Sequence, residues 1–394
     1  MKNNGIYLIM LFFLILTVPV SAQTDTSKNA ASKTTQKTDA EKKKEEEKKK
    51  LEEKQKEADK KRADFIEKTM KYGNQKERKE AINFIPIIRD EARKKDLTSQ
   101  LIVMLDGERD STVIMKSIYV LQDLKSGEAI PTVVKFLNNN SEDVKIAAVY
   151  FLKNMDAKET AASVQEIFKK LDFTKDSNFT TAVIQTLAVF KVNTEYEFAI
   201  EKIKDNKTTN INRLELLLFL GNSGSKGAES FLLETFNDED EDISVRAYSA
   251  NALAKINATS AIKDLNNFLV AFDDYSYNKK KDYYTLNIYV ITALVKLGDS
   301  GSYSRLYESL RSDNTTVRLK SIELLKDLKD KRSIDILKYK AEYDPNLKVQ
   351  KAAKEALKEM GVDFEPENKD DKDIKNIVNT KNADANETEV PLND

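Results

Sequence analysis

Val245-Arg246-Ala247-Tyr248-Ser249-Ala250-Asn251-Ala252-Leu253-Ala254-Lys255-Ile256 is the stretch that decides the fold. Val245, Ser249, Leu253 and Ile256 follow one another at intervals of four, four and three, which puts all four on one face of an α-helix. Asp242, three residues ahead, carries a side-chain oxygen suited to accept the unpaired N–H groups of a first helical turn. The frame recurs outward in both directions. Clear copies are Val144, Ala148, Leu152, Met155; Leu286, Val290, Leu294, Leu297; Val317, Ser321, Leu325, Leu328; and Val349, Ala353, Leu357, Met360. Weaker copies are Val113, Ser117, Leu121, Leu124; Phe179, Val183, Leu187, Phe190; and Arg213, Leu217, Leu220, while a ninth, around Ala81, Ile85 and Ile88, contains Pro86. Asp110, Ser141, Asn314 and Asn346 hold the capping position before their own frames.

The third residues of these frames fall at 85, 121, 152, 187, 217, 253, 294, 325 and 357, a mean spacing of 34. Between them lie second amphipathic stretches, at 127–137, 159–171, 228–236, 261–270 and 302–310. Each unit therefore reads as two antiparallel helices, neither able to bury its apolar stripe alone. Stacking such units makes one continuous core. The expected fold is all-α, an α-solenoid of about eight to nine helix pairs across residues 63–362.

At these residues the chain resembles the HEAT family of helical repeats, including the short variety first noticed in bilin-lyase proteins. The matching features are the Val-Arg or Val-Lys start of a second helix (Val245-Arg246, Val317-Arg318, Val144-Lys145) and the Ala129-Ile130-Pro131 opening of a first helix. The resemblance covers nearly 290 residues. It implies a solenoid that binds partners along a curved face, and it implies no reaction; bilin-lyase activity is not carried over. A period near 34 also suits tetratricopeptide repeats, the runner-up fold, although their aromatic and Ala-Pro signature is missing.

Composition narrows the chemistry. The 394 residues include no His, Cys or Trp, so a Ser-His-Asp or Cys-His nucleophile, a Cys/His zinc site and a disulfide are excluded. Carboxylate, Lys, Tyr and Ser chemistry remains, together with binding. The formal net charge of −1 is a sum of unlike parts. Residues 23–62 carry 14 basic against 10 acidic side chains, residues 363–394 carry 4 Lys against 10 Asp and Glu, and the stretch between is neutral with no basic stripe along the sequence.

The ends are read separately. Lys2, the apolar run from Ile6 to Val18, Pro19 and the small-residue site Val20-Ser21-Ala22 predict a signal peptide over 1–22, cleaved near Ala22. The chain is then exported, periplasmic or extracellular; the alternative is an uncleaved N-terminal anchor. Residues 23–40 predict a disordered linker. Residues 41–62 are charged at 19 of 22 positions, with Glu45, Glu46 and Glu57 each three and four residues ahead of a Lys, and predict a solvated, coiled coil-like helix without an apolar seam. Its alternative role is contact with membrane or cell wall. The segment 363–394 predicts an acidic disordered tail.

Candidate binding residues lie where the spacing stretches to 41. There Tyr275, Tyr277, Lys279, Lys280, Lys281, Tyr283 and Tyr284 have the composition of a recognition hot spot on an inserted loop, against which stands simple packing on their own unit. The run Asn237–Asp242 fails the calcium-loop pattern, with Ser249 at its would-be twelfth position, and reads as an acidic helix start. Gly221–Gly227 lacks the phosphate-loop spacing and reads as a helix end. No cofactor, metal or nucleic acid is expected. The sequence points first to a non-catalytic scaffold or adaptor for a protein partner in the cell envelope, second to an envelope-attachment protein acting through 41–62. Third comes an enzyme using carboxylates alone, for which no paired carboxylates stand out.

Overall fold

The computed structural model describes residues 39–364, with side chains from residue 43 onward. The expected signal peptide, residues 23–38 of the linker and the tail from 365 lie outside the described residues. The chain forms two units, the second beginning at Asp59. In the first, the described residues are the opening of helix α1 (Asp39–Tyr72), and every side chain from 43 to 58 is exposed. The expected boundary at 62/63 falls inside that helix.

The second unit is entirely helical among the described residues. After α1 come α2 (Gln75–Asn83), α3 (Glu91–Gly107), α4 (Ser111–Asp123), α5 (Ile130–Val134), α6 (Glu142–Asn154), α7 (Ala161–Phe168), α8 (Asn178–Val189) and α9 (Tyr196–Lys204). The series continues with α10 (Asn210–Ser223), α11 (Glu229–Asn237), α12 (Ile243–Lys255), α13 (Ile262–Asp273), α14 (Tyr277–Lys296), α15 (Ser302–Ser309), α16 (Thr315–Leu328), α17 (Ile334–Tyr343) and α18 (Leu347–Glu359). Each even-numbered helix from α4 to α18 packs on the odd-numbered helix before it and on the even-numbered helices to either side. Eight complete pairs are stacked this way, and α2 opens the even-numbered layer against α4. The fold is the α-solenoid that the repeated frame dictates.

The frame works because its third residue does two jobs. Leu121, Leu152, Leu187, Leu220, Leu253, Leu294, Leu325 and Leu357 have no exposed surface, so each contributes about 1.5–3 kcal/mol of burial. The carbonyl of each also accepts, at 2.9–3.2 Å, the N–H of a residue five positions on: Ser126, Ala157, Val192, Ser225, Ala258, Asp299, Asp330 and Val362. The residue between takes the left-handed conformation, with φ of 48° to 89°, at Lys125, Asp156, Lys191, Gly224, Asn257, Gly298, Lys329 and Gly361. Eight even-numbered helices thus end in the same Schellman turn, which satisfies carbonyls that a helix end leaves bare.

These leucines correct one register. The acceptor in the fifth copy is Leu220, not Leu217, so the frame there runs Asn212, Leu216, Leu220, Ser223 and the neighbouring intervals become 33 and 33. Asn212 sits fully buried in the place of a Val and donates Nδ2 to the carbonyl oxygens of Phe173 and Lys175 at 2.9 and 3.0 Å. Two features of the first copy also differ from a full repeat: α2 stops at Asn83, before Pro86, and Ile85 and Ile88 are buried from the turn that follows. Among the expected caps, Asp110, Asp242, Asn314 and Asn346 accept N–H groups of their first turns, worth about 1 kcal/mol each. Ser141 makes no such bond with its side chain, and Asn139 Oδ1 instead accepts the Ser141 N–H.

The arginine after the first frame residue closes the preceding helix. Arg213 Nε donates to the Ile203 carbonyl at the end of α9, and Arg246 Nε to the Phe236 carbonyl at the end of α11. The Val-Arg signature behind the family resemblance is therefore an architectural device.

Candidate interaction surface

The expected inserted loop is helix. The extra residues lengthen α14 to 20 residues by adding turns at its start, because Ser276 accepts the Lys279 N–H as an N-cap and nothing after it breaks the helix. Tyr275 and Tyr283 meet edge to face at 5.2 Å, and Phe272 lies 5.9 Å from Tyr275 and 6.5 Å from Tyr284. Lys279 Nζ stands 3.8 Å above the Tyr275 ring, and Lys280 Nζ donates to the Asp273 carbonyl at 2.7 Å. Tyr275, Tyr283 and Tyr284 are half-buried against the core. Outward-facing aromatic surface is left at Tyr277, 64% exposed, with Lys281 Nζ 4.4 Å over its ring. The structure brings the seven residues together, chiefly as a brace for the α13–α14 junction.

A more open feature lies on the even-numbered layer. A groove of about 600 Å³ crosses α6, α8 and α10, with Ile184, Ala188, Val189, Leu218 and Phe219 along it and Lys153, Asn154, Lys191, Glu215 and Asn222 among its polar groups. It forms because α8 carries Ala188 and Val189 where α6 carries Lys153 and Asn154, so the surface is lower there. Lys153 Nζ lies 4.4 Å over Tyr150, and partial burial lowers its pKa. Burial raises the Glu215 carboxyl above its usual range, opposed by a long contact from Gln185 Nε2 at 3.5 Å.

From this groove a row of lysines follows the C-terminal ends of the helices, joined by Lys320 from the second turn of α16. Lys191 Nζ donates to the Asn222 carbonyl and Lys255 Nζ to Asn222 Oδ1, each at 2.5 Å. Burial lowers the Lys255 pKa, and repulsion from Lys296, Lys320 and Lys191 lowers it further, with Glu323 opposing. Lys320 Nζ pairs with Glu323 at 2.7 Å and lies 5.3 Å over Tyr289, which stacks on Tyr248 at 5.6 Å and 19°. Burial, then the neighbouring Tyr248, pushes the Tyr289 hydroxyl well above its usual pKa, so it stays a neutral donor. Five cations from five of six successive repeats, Lys153, Lys191, Lys255, Lys296 and Lys320, with the α9/α10 pair supplying none, thus collect on one side of a chain segment that is neutral overall.

The sequence reading missed this row. Its residues are 24 to 64 apart and never form a run. The signal was available only by aligning the units on their leucines, which places Lys153, Lys255 and Lys296 one or two residues after the frame leucine. The other motifs have structural work: Asp242 caps α12, Glu241 pairs with Arg213, and Gly224 closes α10 with φ of 78°. Gly221 lies within α10, where an added Cβ would stand 2.9 Å from Ala252 Cα, so glycine there permits close approach of α10 to α12.

No family model matches the chain, and no curated protein matches it. Among solved structures it is similar to Kap121p, at 12% identity over 77% of this chain, with a TM-score of 0.36, and to a mutant form of Kap121p at the same identity and coverage with a TM-score of 0.40. The chain spans 38% of those Kap121p chains. It is also similar to human deoxyhypusine hydroxylase in complex with glycerol, at 13% identity over 68% of this chain and 96% of that one, with a TM-score of 0.26. No partner or reaction passes from these proteins to this one.

Proposed function

We propose that this chain is an exported, non-catalytic scaffold of HEAT-like repeats that binds a protein partner along its even-numbered helices. The observation that carries the reading is the groove across α6, α8 and α10, continuous through Lys191 and Asn222 with the lysine and tyrosine surface of α12, α14 and α16. An apolar floor with polar groups around it supplies contact area and register over several repeats, which is how stacked helices hold an extended ligand. Export rests on the reading of residues 1–22.

In-cell crosslinking of the tagged chain followed by mass spectrometry tests this proposal. The expected result is one abundant exported protein joined at positions on α6 to α16 of the even-numbered layer. Crosslinks confined to the odd-numbered helices would overturn it.

A second reading has its own observation. The opening of α1 exposes every side chain from 43 to 58, as an electrostatic attachment arm requires. Envelope attachment through this arm predicts salt-sensitive sedimentation with envelopes that is lost on deletion of residues 41–58.

A further inference from the structure

The lysine row and the acidic segment that follows the array share an edge. Even-numbered helices run parallel, because their C-terminal ends are bonded to one another: Asn154 Nδ2 to Gln122, Lys255 to Asn222, and Lys326 to Glu359 at 3.5 Å. Lys153, Lys191, Lys255 and Lys296 all lie at that edge, in or just after the last turns of α6, α8, α12 and α14. The chain leaves α18 there too, through Gly361 and Val362.

Charge and length then fit. Residues 363–394 hold 10 Asp and Glu against 4 Lys, and residues 387–394 set Val390 and Leu392 among Glu387, Glu389 and Asp394. Neighbouring helices are spaced by about 8–10 Å, so the groove at α8 and α10 lies roughly 40–50 Å from α18. The 25 residues before 388 span up to about 80 Å when extended, so the segment reaches it. Attachment in cis also gives such a segment an effective concentration on the order of millimolar, which lets weak surface pairs count.

We propose that the acidic segment 363–394 docks in cis along the lysine row, its carboxylates on Lys191, Lys255, Lys296 and Lys320 and its Val390–Leu392 end in the groove. A partner using the same surface must displace it. The assignment does not depend on any partner, and its test uses the purified full chain alone, so it stands or falls separately from the scaffold reading.

The experiment is zero-length carbodiimide crosslinking of an equal mixture of unlabelled and nitrogen-15-labelled chain, mapped by mass spectrometry at about 0.05 and about 1 M salt, where the Debye length falls several-fold. The expected result is bonds between acidic residues of 363–394 and Lys191, Lys255, Lys296 or Lys320 within single isotopic species, dropping roughly fivefold or more at high salt. The combined Lys191→Gln, Lys255→Gln, Lys296→Gln variant should lose the remaining bonds to Lys320 to a similar extent, while bonds to Lys354 and Lys358 on α18 persist. Tail bonds confined to α18 and α1 would overturn the proposal. Mixed isotopic species would overturn it as well, by making the occupant a second copy. Should the variant fail to fold, the salt dependence in the natural chain decides the matter.

Discussion

Helix pairs α11/α12 and α15/α16 begin their second helices alike, with Val245-Arg246 and Val317-Arg318, and leave each arginine 5% exposed. They spend the guanidinium differently. Arg246 Nε reaches back to the Phe236 carbonyl and closes the helix of its own pair. Arg318 reaches back to the Ser312 and Asp313 carbonyls through Nη1, and forward with Nε and Nη2 to both carboxylate oxygens of Asp344, at 3.0 Å each. Asp344 follows α17 and also receives Lys340 at 3.1 Å and the Asn346 N–H at 3.0 Å. One residue is thus a cap within a pair and the other a strap between pairs. Among the described residues the strapped pair, α17/α18, ends the stack and has an array neighbour on one side only, so a buried charge pair supplies what a second apolar interface supplies elsewhere. The same dipeptide carries two energetic roles according to what the next repeat offers.

Breaking the strap gives the largest expected effect. Asp344→Ala leaves Arg318 buried without its carboxylate and should cost about 3–5 kcal/mol, read as the loss of the α17/α18 transition in denaturant unfolding with the rest of the array retained. Arg246→Ala removes one charge-assisted bond and should cost about 1.5–3 kcal/mol, with no selective loss of any terminal pair. Equal costs and equal patterns would erase the distinction.

Acid should sharpen it. Burial alone would raise the Asp344 carboxyl, but the bonds from Arg318, Asn346 N–H and Lys340 outweigh this and hold it below the usual carboxylate range. A group so lowered contributes stability that is present above its unfolded value, near 3.9, and is lost as pH falls through the lower folded value. The α17/α18 transition should therefore weaken below about pH 4, and the Asp344→Asn variant should lack that limb. The Arg246 bond has a carbonyl acceptor and adds no such limb.

The smallest effect concerns how the two second helices end. Asn257 and Lys329 both take positive φ, at 61° and 48°. Asparagine tolerates that conformation and lysine does not, so Lys329→Gly should stabilise by about 1 kcal/mol and Asn257→Gly by only a few tenths, measured as shifts in unfolding midpoint.

Much of this architecture was legible in the sequence because the apolar frame is local and repetitive. The frame leucines, four of five proposed caps and the even-numbered helices from α4 onward all follow from spacing. The fifth copy shifts by three positions, from Leu217 to Leu220, because a buried Asn212 stands where a valine is expected, and its partners, the Phe173 and Lys175 carbonyls, lie some forty residues away. The surface was far less legible. Tyr275 to Tyr284 announce themselves by clustering, yet most of their ring area is turned inward. Lys153, Lys191, Lys255 and Lys296 become neighbours only when the repeats stack, and no two of them are closer than 38 residues along the chain.

Contacts between successive repeats run chiefly through the even-numbered layer, while the odd-numbered helices meet one another sparsely. In mechanical terms this makes the even-numbered layer the neutral axis of the stack. Bending changes the gaps between odd-numbered helices, as the outer edges of a fan open and close, while the leucine-bearing ribs keep their spacing. A ligand laid across those ribs is held on a ruler of nearly constant pitch, whatever the array does around it.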